Sequence, residues 1–294
     1  VLLAWRLGLV VAGPPGAAFA AAALGLGSGL WAAVTLHDTY HSAHVLAVAA
    51  AMAALLVALE ARRRVLSGSL LGVAALSRQA VILAAPALAL VATRHRRGWV
   101  RPALVLAAAA APMLLYLGLN LARFGTPLAT GYETVAHAEH LRGDLARHGA
   151  FSVAYLGRNL GVMLAALPRR VEVFPWLVPD PHGLSLLLLA PWIVLGFLPL
   201  LRPDRPPARR LAAWCWLGAA MVSIPHLLYV NTGWVQLGYR FALDEMPFLL
   251  LAALLGMRRA RGPAPAILLG LAVAVNAWGQ LALVTYPRWA PLLG

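Results

Sequence analysis

The sequence predicts an all-α, polytopic helical membrane protein, and three observations carry that prediction. Of its 294 residues, 62% are hydrophobic and 12% are charged, against about a quarter charged in a soluble globular domain. Mean hydropathy is +0.78. The apolar runs are roughly 18–22 residues long, rich in Leu, Ala and Val, and lack strict alternation, which is the pattern of membrane-length helices and not of barrel strands. In lipid the backbone must satisfy its own polar groups, so helices are the elements such runs can form.

The formal net charge is +14, from 24 basic and 10 acidic residues, and every basic residue is arginine. Such a balance often marks nucleic-acid binding. Here the arginines gather at the ends of apolar runs, so membrane topology explains them and no nucleic acid is expected. Cys215 is the one cysteine, which excludes an internal disulfide and a paired-cysteine metal site. P-loop, dinucleotide-fold and Ser-His-Asp signatures are absent from the sequence.

The elements follow in order. Val1–Val11 is a partial apolar segment closed by Gly13-Pro14-Pro15-Gly16; it starts without a methionine, looks like the end of a helix and shows no signal-peptide pattern, so an upstream part of the natural protein is expected. Ala17–Leu36 reads as a full span. A polar stretch, His37 to His44, leads to Val45–Leu59, which ends at Arg62-Arg63-Arg64. Val65–Ala92 is too long for one span and is interrupted in its middle by Ser77-Arg78-Gln79. Val100–Leu121 spans next. A long polar region, Arg123 to about Gly183, holds an amphipathic interfacial stretch, Phe151–Leu167. Spans are then read at Leu184–Leu201, Leu211–Val230, Pro247–Met257 and Ala264–Tyr286. The sum is about nine transmembrane helices plus an interfacial helix in a single domain, 1–294.

Arginine clusters at 62–64, 94–101, 202–210 and 258–261 test this order. If Val65–Ala92 is a hairpin of two short helices, all four clusters share the cytoplasmic side, as the positive-inside rule requires. Each arm then has about a dozen residues, or roughly 18–20 Å of helix, shorter than the ~30 Å hydrocarbon core. Ser77-Arg78-Gln79 becomes a tip on the outer side, sunk below the surface.

Four groups of residues carry chemistry, each with a plainer reading beside it. Arg78 with Gln79 can bind an anion through the guanidinium fork, or can be a snorkelling arginine at a hairpin tip. Asp38 with His37, His41 and His44 can hold a divalent cation or orient a nucleophile, or can be a polar connector. Tyr132 and Glu133, after the Gly-Pro turn at 125–127, can contact a headgroup or an acceptor, or can anchor the helix exit at the interface. Gly238-Tyr239-Arg240-Phe241 with Asp244-Glu245 suits a charged, partly apolar ligand such as a lipid phosphate, with the acids placed to pair with Arg240; an aromatic belt with an interfacial arginine is the alternative.

Three of these stretches resemble motifs of the GT-C superfamily of membrane glycosyltransferases. Gly72-Val73-Ala74-Ala75-Leu76-Ser77-Arg78 resembles its hairpin motif. Asn120-Leu121-Ala122-Arg123-Phe124-Gly125-Thr126-Pro127-Leu128 with Gly131-Tyr132 resembles a stretch of bacterial members. Gly238-Tyr239-Arg240-Phe241 resembles a motif near a late helix. The relatives implied are protein O-mannosyltransferases and lipid A aminoarabinose transferases. The resemblance implies a multi-pass protein of the bacterial cytoplasmic membrane with its active face extracytoplasmic. It implies a polyprenyl-phosphate-sugar donor and a lipid, glycan or protein acceptor, in contact with membrane lipid. Arg78, Gln79, Tyr239 and Arg240 would bind the donor phosphate. Asp38 would be the catalytic acid or a ligand of a divalent cation, and His37, His41, Tyr132 and Glu133 would line the substrate site. The family's acid in the first outer loop has no counterpart here, in keeping with a missing upstream part. The competing class is a transporter or flippase of a lipid-linked anion, which would use the same basic cavity without chemistry.

Overall fold

Backbone that must bond internally, carrying side chains that are mostly apolar, gives a chain that is helical almost throughout. The computed structural model describes residues 1–36, 38–60, 63–95, 98–129, 139–172, 176–201, 206–234 and 236–285. Among them five helices are long and apolar enough to cross a membrane: Leu2–Gly25 (α1), Thr39–Glu60 (α3), Val100–Phe124 (α6), Pro206–Leu228 (α10), and Ala264–Leu283 within α12 (Ala264–Thr285). Between these lie α2 (Leu30–Leu36), α4 (Arg64–Ser77), α5 (Ala85–Thr93), α7 (Glu139–His148), α8 (Leu156–Ala165), α9 (Leu186–Leu189) and α11 (Met246–Met257). The protein is a helical membrane protein.

Length misleads for α1. Gly13 leaves helical geometry at φ 71° and ψ −164°, a conformation open to glycine, and Pro14-Pro15 restart the helix as its first residues. A Cβ on Gly16 would lie 2.8 Å from the carbonyl oxygen of Gly8, and one on Gly25 would lie 3.0 Å from Val1. In a straight helix Val1 and Gly25 would stand about 36 Å apart. The segment is therefore a tight antiparallel hairpin whose arms touch backbone to backbone at two glycines.

The predicted span Ala17–Leu36 is likewise broken, at residues 26–29. Ser28 gives its hydroxyl to the Leu24 carbonyl at 2.7 Å and accepts from the Leu30 N–H at 3.2 Å. That local pairing ends one helix and starts α2. The Gly27 carbonyl accepts the Trp192 indole N–H at 2.7 Å, which pins the break into the core.

The second hairpin is the one the charge pattern predicts. α4 leaves the end of α3 and runs back along it, with the Ser67 hydroxyl on the Ala54 carbonyl at 3.0 Å. Arg78 is extended at φ −141° and ψ 94°, the chain turns through a 3-10 segment at Gln79–Ala84, and α5 returns. Arg94 closes the circuit by donating to the carbonyls of Ala58, at 3.0 Å, and Leu59. Gly68 and Gly72 let α6 lie parallel against α4. Cβ atoms there would stand 2.9 Å from Ala108 and 2.8 Å from the Pro112 ring, the close approach that small residues four apart allow in membranes.

The predicted span Leu184–Leu201 is a short α9 followed by a 3-10 segment, Pro191–Phe197. Pro191 cannot continue the helix bonding of α9, and Gly196 and Gly256 bring this segment into backbone contact with α11. The interfacial stretch at 151–167 is a 3-10 turn, Val153–Tyr155, and then α8. Tyr155 donates to the carbonyls of Asp144 and Gly149 at 2.9 and 2.7 Å, tying α7 to it. A two-stranded ribbon, Arg169–Arg170 (β1) with Leu177–Val178 (β2), completes this cap.

These directions give the bundle two unlike ends. The C-terminal ends of α3, α5 and α11 and the N-terminal end of α10 gather at one, with Arg64, Arg94, Arg209 and Arg258. The start of α3, the Arg78 tip, the end of α10 and the start of α11 meet at the other.

Candidate functional site

Asp244 is the centre of the second end. It sits in a 3-10 segment, Arg240–Glu245, that feeds directly into α11, and its side chain is 0% exposed. Three elements reach it. His44, one turn into α3, brings Nδ1 to 2.6 Å from Oδ1. Arg78 donates its Nε–H to Oδ2 at 3.0 Å. His226, near the end of α10, brings Nε2 to 3.2 Å from the same Oδ2. The neighbouring Glu245, equally buried, lies 3.8 Å from the other nitrogen of His226. A carboxylate held this deep requires such company, because an unpaired buried charge is prohibitively costly.

Phe241 forms the floor of the cluster. His226 stacks on its ring at 5.3 Å and 20°, and Tyr239 and His44 approach at 5.5 and 6.1 Å. The guanidinium carbons of Arg78 and Arg240 lie 5.4 and 5.5 Å from the same ring, and Arg240 also lies 5.8 Å from the Tyr40 ring. Two cations thus share one aromatic ring, each favoured by its quadrupole. The Arg78 side chain is 20% exposed, so one side of it looks outward. A narrow crevice of about 20 Å³ is lined by His41, Gln236, Tyr239, Arg240 and a wall of leucines, room for little more than one water.

Asp38 stands apart from this cluster. It caps α3, accepting from the His41 N–H at 2.8 Å with one oxygen and meeting the His41 Nδ1 at 2.8 Å with the other. The polar stretch expected to be an outer loop is therefore largely the first two turns of α3, because an acid at the N-cap favours helix at once. Burial works against ionisation of Asp38, yet the backbone N–H and imidazole of His41, with the charge of Arg240, hold its carboxyl below the usual carboxylate range. Arg240 lines the crevice, and Asp38 and Arg78 are not among its lining residues.

The remaining sequence-derived candidates divide. Tyr239 lines the crevice, but its hydroxyl donates to the His226 carbonyl at 2.9 Å, which ties the turn to α10. Gln79 is exposed beside the tip. Asp244 joins Arg78, where the sequence reading paired the acids with Arg240. His37, Tyr132 and Glu133 lie outside the described residues. Among the described residues no three His, Cys, Asp or Glu side chains are placed to hold a metal ion, so the cation considered for Asp38 finds no further ligands there than His41. Sequence reasoning missed His226. The signal was present, since a titratable residue near the end of the apolar run Leu211–Val230 follows the same rule that singled out Arg78.

Comparison with protein-family models, curated proteins and solved structures finds no match for this chain.

Proposed function

We propose that this protein is a GT-C-type membrane glycosyltransferase, of about nine spans, which moves a sugar from a polyprenyl-phosphate donor to an acceptor on the extracytoplasmic face. One observation carries this: two guanidiniums, Arg78 and Arg240, share the Phe241 ring at the end of the bundle opposite the arginine clusters. The positive-inside rule makes the cluster-bearing end cytoplasmic, which puts the Arg78 end outside. In sugar transfer from a lipid phosphate, negative charge grows on the leaving phosphate, and fixed cations in a poorly solvated site are the groups that stabilise it. The crevice leucines offer an apolar wall for the lipid, and seating a lipid-linked sugar there requires the crevice to widen. The acceptor's proton would go to a carboxylate in the upstream loop the family carries, and Asp38, half exposed and backed by His41, would support it.

The test is transfer by the full-length protein in liposomes containing short polyprenyl-phosphate sugars and a membrane extract as acceptor. Wild type is expected to form product, and Arg78→Ala to lower the rate about 10²–10³-fold, as loss of one oxyanion stabiliser does. No product with any donor sugar, or an unchanged rate in Arg78→Ala, would overturn the proposal.

A flippase of a lipid-linked anion is the second reading, and the broken segments favour it. Interrupted segments at Arg78 and at Ala190-Pro191 are the kind of discontinuity transporters use around a site. In the same liposomes, movement of the intact lipid phosphate between leaflets, with no new glycosidic product, distinguishes it.

A further inference from the structure

His226 has an acid at each ring nitrogen. Nε2 faces Asp244 at 3.2 Å and Nδ1 faces Glu245 at 3.8 Å, and all three side chains are buried. A neutral imidazole has a single N–H. It can point that N–H at one carboxylate, and its other nitrogen then turns a lone pair toward the second. With both acids ionised, this sets a lone pair against a buried negative oxygen. One additional proton removes the conflict. It can sit on the ring, which then turns a positive N–H edge toward each acid, or on Glu245, which then faces Nδ1 as a neutral acid; at 3.8 Å the Nδ1 contact is electrostatic and longer than a hydrogen bond.

The charges agree with this count. Asp244 and Glu245 bring two negative charges, and Arg78 brings one permanent positive charge at 3.0 Å from Asp244. One more proton makes neutral the set joined by these ion pairs, Arg78–Asp244–His226–Glu245, which a poorly solvated interior favours; Arg240, against the shared Phe241 ring, adds a positive charge outside that set. The groups around His226 come from every packed element. Asp244, Glu245 and Arg240 belong to the 3-10 segment, with Tyr239 just ahead of it. Arg78 comes from the hairpin tip and His44 from α3, both through Asp244. Asn159 of α8 contacts the His226 carbonyl at 3.3 Å, and Ser223 on α10 lies beside Glu245.

We propose that His226 and Glu245 form a buried proton-binding site, and that Asp244 couples its occupancy to Arg78. The coupling follows from a shared atom. Arg78 Nε and His226 Nε2 both address Asp244 Oδ2, at 3.0 and 3.2 Å. A protonated His226 sets a second positive charge beside that oxygen and weakens its hold on Arg78. An anion arriving from the open side of Arg78 then competes more easily, and one proton taken from solvent accompanies it. This device is independent of whether the site transfers a sugar or moves a lipid.

The experiment uses full-length protein in nanodiscs, with nitrogen-15 histidine NMR and infrared spectroscopy between pH 5 and 9. One result is expected in wild type near neutral pH: either a doubly protonated histidine whose signal is lost in His226→Gln, or a carboxylic-acid carbonyl band lost in Glu245→Gln. Arg78→Gln removes a positive neighbour, so the proton is expected to be retained to higher pH. Dodecyl phosphate, as the anion probe, is expected to shift the same titration upward in wild type and not in Arg78→Gln. A neutral His226 together with no infrared band dependent on Glu245 across the range would overturn the site. An unmoved titration in Arg78→Gln would overturn the coupling. If His226→Gln does not fold, the infrared band and its loss in Glu245→Gln decide between the two outcomes. A proton signal in a protein that transfers no sugar sinks the proposed function and leaves this inference standing.

Discussion

Two hairpins of similar size close by opposite means. The first, α1, turns at Gly13 and is sealed by backbone contact between Gly8 and Gly16. The second turns at Arg78 and is sealed by a side chain, whose Nε–H reaches Asp244, 166 residues away. One is a local device written within a single stretch of small residues. The other is complete once α11 has arrived. Their tips also point to opposite ends of the bundle: the arms of α1 open where Gly29 meets Leu243, so its tip faces the arginine clusters, while the Arg78 tip faces the site. A re-entrant turn built from glycine and proline needs no partner, whereas one carrying a charge draws a binding site around itself.

That contrast can be broken experimentally. Asp244→Ala is expected to have the largest effect, about 3–5 kcal/mol of stability, because it removes the buried carboxylate that Arg78, His44 and His226 share; thermal unfolding in detergent measures it. Gly8→Val should follow with at least the 1–3 kcal/mol typical of overpacking, since backbone and not a flexible side chain stands in the way. A double-mutant cycle sharpens the comparison further. Arg78→Ala and Asp244→Ala should couple by about 0.5–3 kcal/mol, while Gly8→Val and Asp244→Ala should add; coupling in the second pair would mean the hairpins are not independent. The smallest effect belongs to Asp38→Ala, about 1 kcal/mol from the lost helix cap. The carboxyl of Asp38 is held below its ordinary range, so its contribution is present above the ordinary carboxylate pKa and disappears as pH falls through the lowered folded value. The gap between wild type and Asp38→Ala should therefore close in acid.

The hairpin at Arg78 was legible in the sequence because two independent rules, run length and arginine placement, gave the same answer. The α1 hairpin was half legible: Gly13-Pro14-Pro15-Gly16 marked a break, but the contact between Gly8 and Gly16 depends on the reversal itself. Ala17–Leu36 and Leu184–Leu201 read as spans since hydropathy does not register Ser28 bonding its own helix or Gly256 admitting the backbone of the 3-10 segment. At the site, Arg78 and Arg240 announced themselves as charges near apolar runs. The role of Asp244 was hidden because the acid beside Arg240 in sequence turns to partners from α3, α4 and α10. Asp38 stood out for its type, and its neighbours His41 and His44 lie a turn apart on α3, serving Asp38 and Asp244 respectively.

Helix α4 has 14 residues, about 21 Å of rise against a hydrocarbon layer of ~30 Å. Neither it nor its returning partner can be released into the bilayer singly with both ends in water. The two must leave the insertion machinery as one unit, already leaning on α3 through Ser67 and Arg94. During synthesis, Arg78 then waits at the tip of that unit, inside the membrane and without its counter-ion, until residue 244 emerges. The bilayer around this unit has to thin to meet it, which makes early assembly sensitive to lipid chain length.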